Sequence, residues 1–283
     1  MVGQYGGLKR RCAISLYSNT LAVIRAYLSN AVGDLISGQC GITGADTTHT
    51  YAPFLWEPDD YFNDHYFEVY VYAGTNIGVT KRVTDWVLST YLLTVHSAYA
   101  AACDATSYIE LHRIFSIDDY NKAINLAIES LAGKYLIDIK DETVVLVADT
   151  YEYDLPLNFL YLHRVTTENE AGGGKFYDSA VIDPRDWSII KSYPPKLKLD
   201  RRYYSVTAGK DLRLEGQGSQ DVVSADASLI YLPPDWLVQK AITFLPQEKI
   251  QANALDETYR RALLTSAIKP SRSCHPFSKG IVE

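Results

Sequence analysis

The sequence is poor in the residues that usually announce a chemistry. Methionine occurs once, at the initiator position, and the four cysteines lie scattered at positions 12, 40, 103 and 274. Such spacing builds neither a disulfide framework nor a metal knuckle, and a reducing compartment is the natural setting. No run approaches the roughly 18 apolar residues that a membrane helix needs, so no membrane association is expected. The opening MVGQYGGLKRRCAISLYSN has basic residues but lacks an apolar h-region with a cleavage site, so a signal peptide is not expected.

Catalytic signatures are equally scarce. A phosphate-binding loop built on GGGK (172–175) would need Gly where Asn169 stands and Ser or Thr where Phe176 stands, so a flexible loop is expected. Asp59-Asp60 and Asp118-Asp119 are adjacent in sequence, whereas glycoside hydrolysis needs carboxylates facing each other across a cleft. Asp119 is placed to cap a helix, and Asp59 and Asp60 follow Pro58 in an expected turn. The six histidines (49, 65, 96, 112, 163 and 275) match no zinc spacing, although His49 and His65 share an acidic stretch. No GxSxG elbow occurs, and Cys274-His275 fall in an expected tail that could not orient a nucleophile. No enzyme activity, metal or cofactor is expected.

What the chain does have is tyrosine, 22 residues against 8 Phe and 4 Trp. Tyrosine couples an apolar ring to a polar tip, which suits interfaces better than deep cores. With 283 residues, 47% hydrophobic and 22% charged, there is material for about two domains and a sizeable core. The net charge of −7 argues against a simple nucleic-acid binder.

Periodicity gives an order of elements. A basic arm leads into SNTLAVIRAYLSNAVGDLISG, a helix capped by Asn19 or Thr20 and ended by Gly38. Phe67, Val69 and Val71 alternate with Glu68, Tyr70 and Tyr72 as in a half-buried strand, and TKRVTDWV and TYLLTVHS are further strands. FSIDDYNKAINLAIESLAGKYLI reads as a helix with a capping box at Ser116 and Asp119. Strand signals then crowd residues 142–232, and Pro246 interrupts the helix that follows. The expected division is an arm and helix (1–40), a small β-module (41–112), a central helix (113–141), a second antiparallel β-module (142–232), C-terminal helices (233–270) and an extended tail (271–283). The fold class expected is α+β, a helical core of three segments with two antiparallel β-modules inserted between them.

Charge is distributed unevenly. Residues 46–68 carry six acids and no Lys or Arg, whereas residues 191–213 carry seven bases and two acids. Opposite charges on separate faces suit a heterologous, head-to-tail interface between copies.

Several ordered segments carry a resemblance. They are FSIDDYNKAINLAIESL, the Tyr-x-Leu-Pro step of YEYDLPLNFLYLHRV, PPKLKLDRRYYSVTAGKDLRLEG as two strands joined at a Gly, SLIYLPPDWLVQKAITFL and ALDETYRRAL. Together they resemble head-to-tail adaptor (connector, neck) proteins of tailed bacteriophages. The segment DDYFNDHYFEVYVYAGTNIGVTKRVTDW resembles a small β-domain of phage virion proteins. The resemblance implies a structural protein of the virion neck, assembled in the host cytoplasm as a ring of about twelve copies. Its partners would be the portal protein, a tail or neck completion protein, and double-stranded DNA passing without sequence-specific binding.

It further implies a portal-binding tail, here Ser271, Arg272, His275, Pro276, Phe277 and Lys279. Channel-facing acids are expected at Asp118, Asp138 and Asp141, on the polar face of the central helix. Subunit contacts are expected from Tyr61, Tyr66, Tyr70, Trp86, Tyr203 and Tyr204. The alternative is a fibre-attachment or carbohydrate-binding module that stacks sugars on Trp56, Tyr61, Tyr66, Tyr70 and Trp86.

Overall fold

The computed structural model describes residues 17–272 and 279–281. Its fabric is mostly β: fifteen strands in four sheets, one curled into a half-barrel, with six short helices among the described residues. This overturns the expected helical core with two inserted β-modules. The physical reason lies in two places. The central helix stops early, and its supposed second half is strand. The C-terminal apolar stretch is cut into three short helices, with Pro246 capping the second.

The chain divides into two compact units, each built from discontinuous segments. The first comprises Asn19–Ser130 and Val222–Pro270. It opens with β1 (Asn19–Thr20) and α1 (Leu21–Ala31). Next come β2 (Ile36–Gln39), β3 (His49–Tyr51), α2 (Tyr61–Asp64), β4 (Glu68–Ala73) and β5 (Thr80–Val87). β6 (Leu92–Val95), β7 (Tyr108–His112) and α3 (Ile117–Glu129) complete the first pass. The second unit then supplies β8 (Ile137–Val145), β9 (Glu152–Asp154), β10 (Phe159–Thr167), β11 (Trp187–Ile190), β12 (Lys196–Leu199) and β13 (Asp211–Gly218). The chain returns to the first unit through β14 (Leu229–Ile230), α4 (Pro234–Ile242), α5 (Gln247–Ala252) and α6 (Asp256–Ser266). Residues of β15 (Lys279–Gly280) belong again to the second.

In the first unit, six strands run in the order β2-β7-β4-β5-β6-β3, all antiparallel. Their apolar side chains gather around Trp86, Phe62, Val69, Leu93 and Ile109. Trp86 is fully buried, its indole N–H donating to Glu57 O at 2.9 Å and its ring meeting Phe62 edge-on at 5.4 Å. The end of α1 differs from expectation. Gly33, in the left-handed region at φ +72°, follows the last turn, and Gly38 lies instead in β2 against the Phe54 ring with no room for a Cβ.

Helix α3 follows the capping logic of its sequence. Ser116 Oγ accepts from Asp119 N at 3.2 Å, and the Asp119 carboxylate accepts from Ser116 N at 3.1 Å. Ile117, Tyr120, Ala123, Ile124, Ala127 and Ile128 are its buried face. α3 packs on α4, and α1 on both.

A polar network crosses this unit out of reach of water. The Arg25 guanidinium, on α1, has no exposed surface. It bonds Glu110 of β7 (Nε to Oε2, 2.9 Å) and Asp226 (Nη1 to Oδ1, 2.6 Å), and lies 4.7 Å from the centre of the Tyr70 ring. The Tyr70 hydroxyl donates to Asp226 at 2.7 Å. Burial opposes the Arg25 charge, but the two carboxylates outweigh it and raise the pKa. Nearby, the Asp34 carboxylate accepts from the backbone N–H groups of Arg113, Ile114 and Phe115 and from the Tyr120 hydroxyl, all within 2.9 Å.

In the second unit, one sheet has the order β15-β10-β13-β8 and a smaller one β11-β12-β9. They share a core that includes Leu162, Val165, Leu212 and Leu214 from the first and Trp187, Leu197 and Leu199 from the second. β12 and β13, expected as a strand pair joined at a Gly, thus lie in different sheets. The carboxylate of Glu168, itself without exposed surface, accepts from the N–H groups of Gly172, Gly174 and Asp211.

Removing one partner of a buried charge pair strands the other charge in a medium that solvates it poorly. Arg25→Ala is therefore expected to lower unfolding stability by about 3–5 kcal/mol in urea titration. Asp119 titrates in the opposite sense to a buried acid. Burial raises its pKa, but Lys249 Nζ at 2.9 Å and the Ser116 N–H more than compensate, and the net shift is downward. A depressed carboxylate adds stability above its unfolded pKa of about 3.9 and loses it as pH falls further. Asp119→Asn should be less stable than the parent at neutral pH, the two converging in acid; a constant gap down to the lowest accessible pH would contradict this.

Candidate functional site

The residues singled out from sequence fall in several environments. Tyr70 and Trp86 are buried inside the chain's own first unit, one by its bond to Asp226 and the other by the aromatic core. Neither is presented to a partner, which corrects their expected place at a subunit contact and removes two of the five aromatics of the sugar-stacking surface. Tyr61 is partly buried against Phe62 and Phe67. Tyr66, by contrast, is 75% exposed and holds a left-handed φ of +57°, a conformation rare for a bulky residue.

Asp118 is exposed on the first turn of α3. Asp138 and Asp141 are not on that helix. α3 ends at Glu129, and both acids lie in β8, where Ile137 and Ile139 alternate with Asp138 and Lys140 at the period of a strand. Asp138 is neutralised by Arg272 at 2.6 Å and bonded to Gln217 Nε2 at 2.9 Å. Asp141 accepts from the N–H and hydroxyl of Thr143.

Of the expected portal-binding tail, His275, Pro276 and Phe277 lie outside the described residues, and Ser271 begins the last segment of the second unit. Arg272 pairs with Asp138, and its N–H donates to Lys134 O at 3.2 Å. Lys279 lies in β15, which adds to the edge of β10, and its Nζ caps the carbonyls of Pro184 and Trp187 3.8 Å from the indole centre. Arg272 and Lys279 are thus engaged with their own unit.

In the loop at GGGK the Gly172 and Gly174 N–H groups bond the Glu168 carboxylate and that of Gly173 bonds Glu170 O. Cys40 and Cys103 are buried free thiols, and burial pushes Cys40 up to about 12, far from a reactive thiolate. His49 pairs with Asp46 at 2.8 Å and His65 bonds Tyr61 O, so the two do not converge. No group of three His, Cys, Asp or Glu side chains placed to hold a metal occurs among the described residues. No helix there is long and apolar enough to cross a membrane.

Two surfaces remain distinctive. The first is a cleft of about 480 Å³ in the second unit, lined by Tyr151, Arg185, Trp187, Lys198, Arg201 and Arg202 among others. Sheet register assembles it, since β12 pairs Leu199 with Trp187 on one side and Lys198 with Glu152 on the other. The turn after β12 is held by Asp200, whose carbonyl accepts from the Tyr203 and Tyr204 N–H groups and whose carboxylate bonds Arg202 at 2.9 Å. That bond, with the Arg202 N–H, lowers the Asp200 pKa. Arg201 lies 5.7 Å from the centre of the Tyr151 ring. Tyr203 and Tyr204 continue the surface beside Arg201 and Arg202, and Tyr203 is 68% exposed. Lys198 faces Glu152 at 3.4 Å, while the side chains of Arg185 and Arg201 have no carboxylate partner among the described residues, only the Arg185 backbone N–H bonding Asp183. The Trp187 indole N–H, in a residue 97% buried, has no acceptor among the described residues.

The second is an acidic, aromatic knob on the first unit, formed by the turn before α2 and by α2 itself. Asp59, Asp60 and Asp64 are exposed there without a cationic partner among the described residues. Asp59 fixes the turn by accepting from Leu88 N at 2.7 Å, and Asp60 accepts from Asn63 Nδ2 at 3.0 Å. Trp56, 70% exposed, packs edge-on to Tyr91 at 5.7 Å, and the exposed Tyr66 follows α2 two residues after Asp64. Sequence reading found both charge runs and the Tyr203-Tyr204 pair. It missed Tyr151, Arg185 and Trp187, which only strand register brings to the cleft.

Because the Gly172 and Gly174 N–H groups are held by a single carboxylate, Glu168→Gln is expected to loosen that loop. Hydrogen exchange should quicken at these two amides while β10 and β13 keep their protection. No protein-family model matches the chain, and no curated protein matches it.

Proposed function

We propose that the protein is a structural virion subunit that assembles head to tail into a ring, in the role of a neck adaptor of a tailed phage. The observation that carries this reading is the segregation of charge between the two units. The first holds 18 acidic and 10 basic residues, and the second 16 and 17. Three of those bases, Lys9, Arg10 and Arg11, and one acid, Glu283, lie outside the described residues, so among the described residues the first unit is strongly acidic and the second close to neutral, with its bases gathered in residues 191–213. A heterologous interface joins two different patches of one subunit, and opposite charge on them steers copies into register and disfavours like-to-like pairing. A closed ring results when the repeated rotation returns to its start.

In this role the ring lies under a portal protein, extends its DNA channel and offers a face to the next neck or tail protein. A negative subunit suits that passage, since phosphate slides past acids without being held. Asp118 is an exposed acid available to such a lining, whereas Asp138 is neutralised by Arg272. The reading rests on surfaces and does not need the helical core expected from the order of elements in the sequence.

Native mass measurement of the full chain, alone and mixed with portal protein, tests it. The expected species is a closed ring of about twelve copies. A monomer in both conditions would overturn the proposal.

A further inference from the structure

We infer that the basic aromatic cleft of one copy grips the acidic knob of the next, which gives the ring its joint; the inference rests on the ring reading. Four cations line the cleft against the carboxylates of Glu152 and Asp200, so it carries surplus positive charge. The side chains of Arg185 and Arg201 have no carboxylate partner among the described residues. A carboxylate is the acceptor that a guanidinium bonds most strongly, through two parallel N–H groups. The knob presents Asp59, Asp60 and Asp64 with no cationic partner among the described residues.

The rims match as well. Tyr203 and Tyr204 border the cleft, and Trp56 and Tyr66 flank the knob. Aromatic rings against guanidinium groups and against one another supply the desolvated contact that isolated surface ion pairs lack. The competing occupant of a basic cleft is a nucleic-acid backbone. A chain of net charge −7 repels that polyanion overall, whereas a second copy brings complementary charge on a defined patch.

Charge reversal tests the joint in the full-length protein. Arg185→Glu/Arg201→Glu alters two side chains without carboxylate partners, and Asp60→Lys/Asp64→Lys reverses the knob. Each double variant alone is expected to associate at least about tenfold more weakly than the parent, because like charges then face each other. Mixed in equal amounts, the two are expected to regain assembly as rings of alternating copies, since each reversed patch then meets its complement. Circular dichroism matching the parent confirms folding, and weakening of parental association with added salt gives a reading that needs no variant.

Parental rings together with undiminished assembly of both variants would overturn the joint and leave the ring reading standing. A parent that never assembles, with or without portal protein, would overturn both. Retention of a DNA duplex by the parent, abolished in the cleft variant while its assembly is unchanged, would assign the cleft to nucleic acid and overturn the joint.

Discussion

A guanidinium shut away from water between two carboxylates organises the first unit. Arg25 comes from α1, Glu110 from β7 and Asp226 from the segment that returns ahead of β14, more than a hundred residues later. None of these charges is tolerable alone in a poorly polarisable interior, so the three elements must arrive together or not at all. Tyr70 ties β4 to the same point, and His112 lies within hydrogen-bond reach of both Glu110 and the Asp34 carbonyl. Asp34 then fixes the start of α3 through three backbone N–H groups. Apolar burial supplies most of the cohesion, but this network decides which helix meets which strand. That is the specifying use of buried charge, set against its desolvation cost.

The tyrosines divide according to the same physics. Tyr70 and Tyr120 are interior, because each hydroxyl finds a carboxylate that repays its burial. Tyr66 and Tyr203 lie outside beside charged groups, where a ring offers contact area with few rotamers to freeze. Tyrosine abundance is thus two populations, and only the outer one serves assembly in the proposed reading.

How much could be read in advance depended on how local the determinants are. α3 was legible because its cap and its stripe lie within a few turns, and β5 because TKRVTDWV coincides with Thr80–Val87. The stretch after α3 was misread because Ile137 and Ile139 extend an apolar run that helical spacing also tolerates, until Gly133 at φ +72° and pairing with β13 turn it into strand. Tyr70 was expected on an outward face of β4, but that face is buried as well, because its hydroxyl meets Asp226, a partner 156 positions away. The same distance problem hid half of the basic cleft. Arg201 and Arg202 advertise themselves as a run, whereas Arg185 and Tyr151 reach them only through the register of β11, β12 and β9.

The division into units has one more consequence. The chain passes between them at 18/19, 130/131, 221/222 and 270/271, so neither is an uninterrupted stretch of sequence. No single truncation can excise either one intact. A nick in the Gly-rich loop at 171–174 would leave two fragments that each contribute to both units, held together by the pairing of β10 with β13 across the cut and, in the first unit, by Arg25 and Asp226. The protein is built as a candidate for fragment complementation, in which two separately inert pieces restore one fold when mixed.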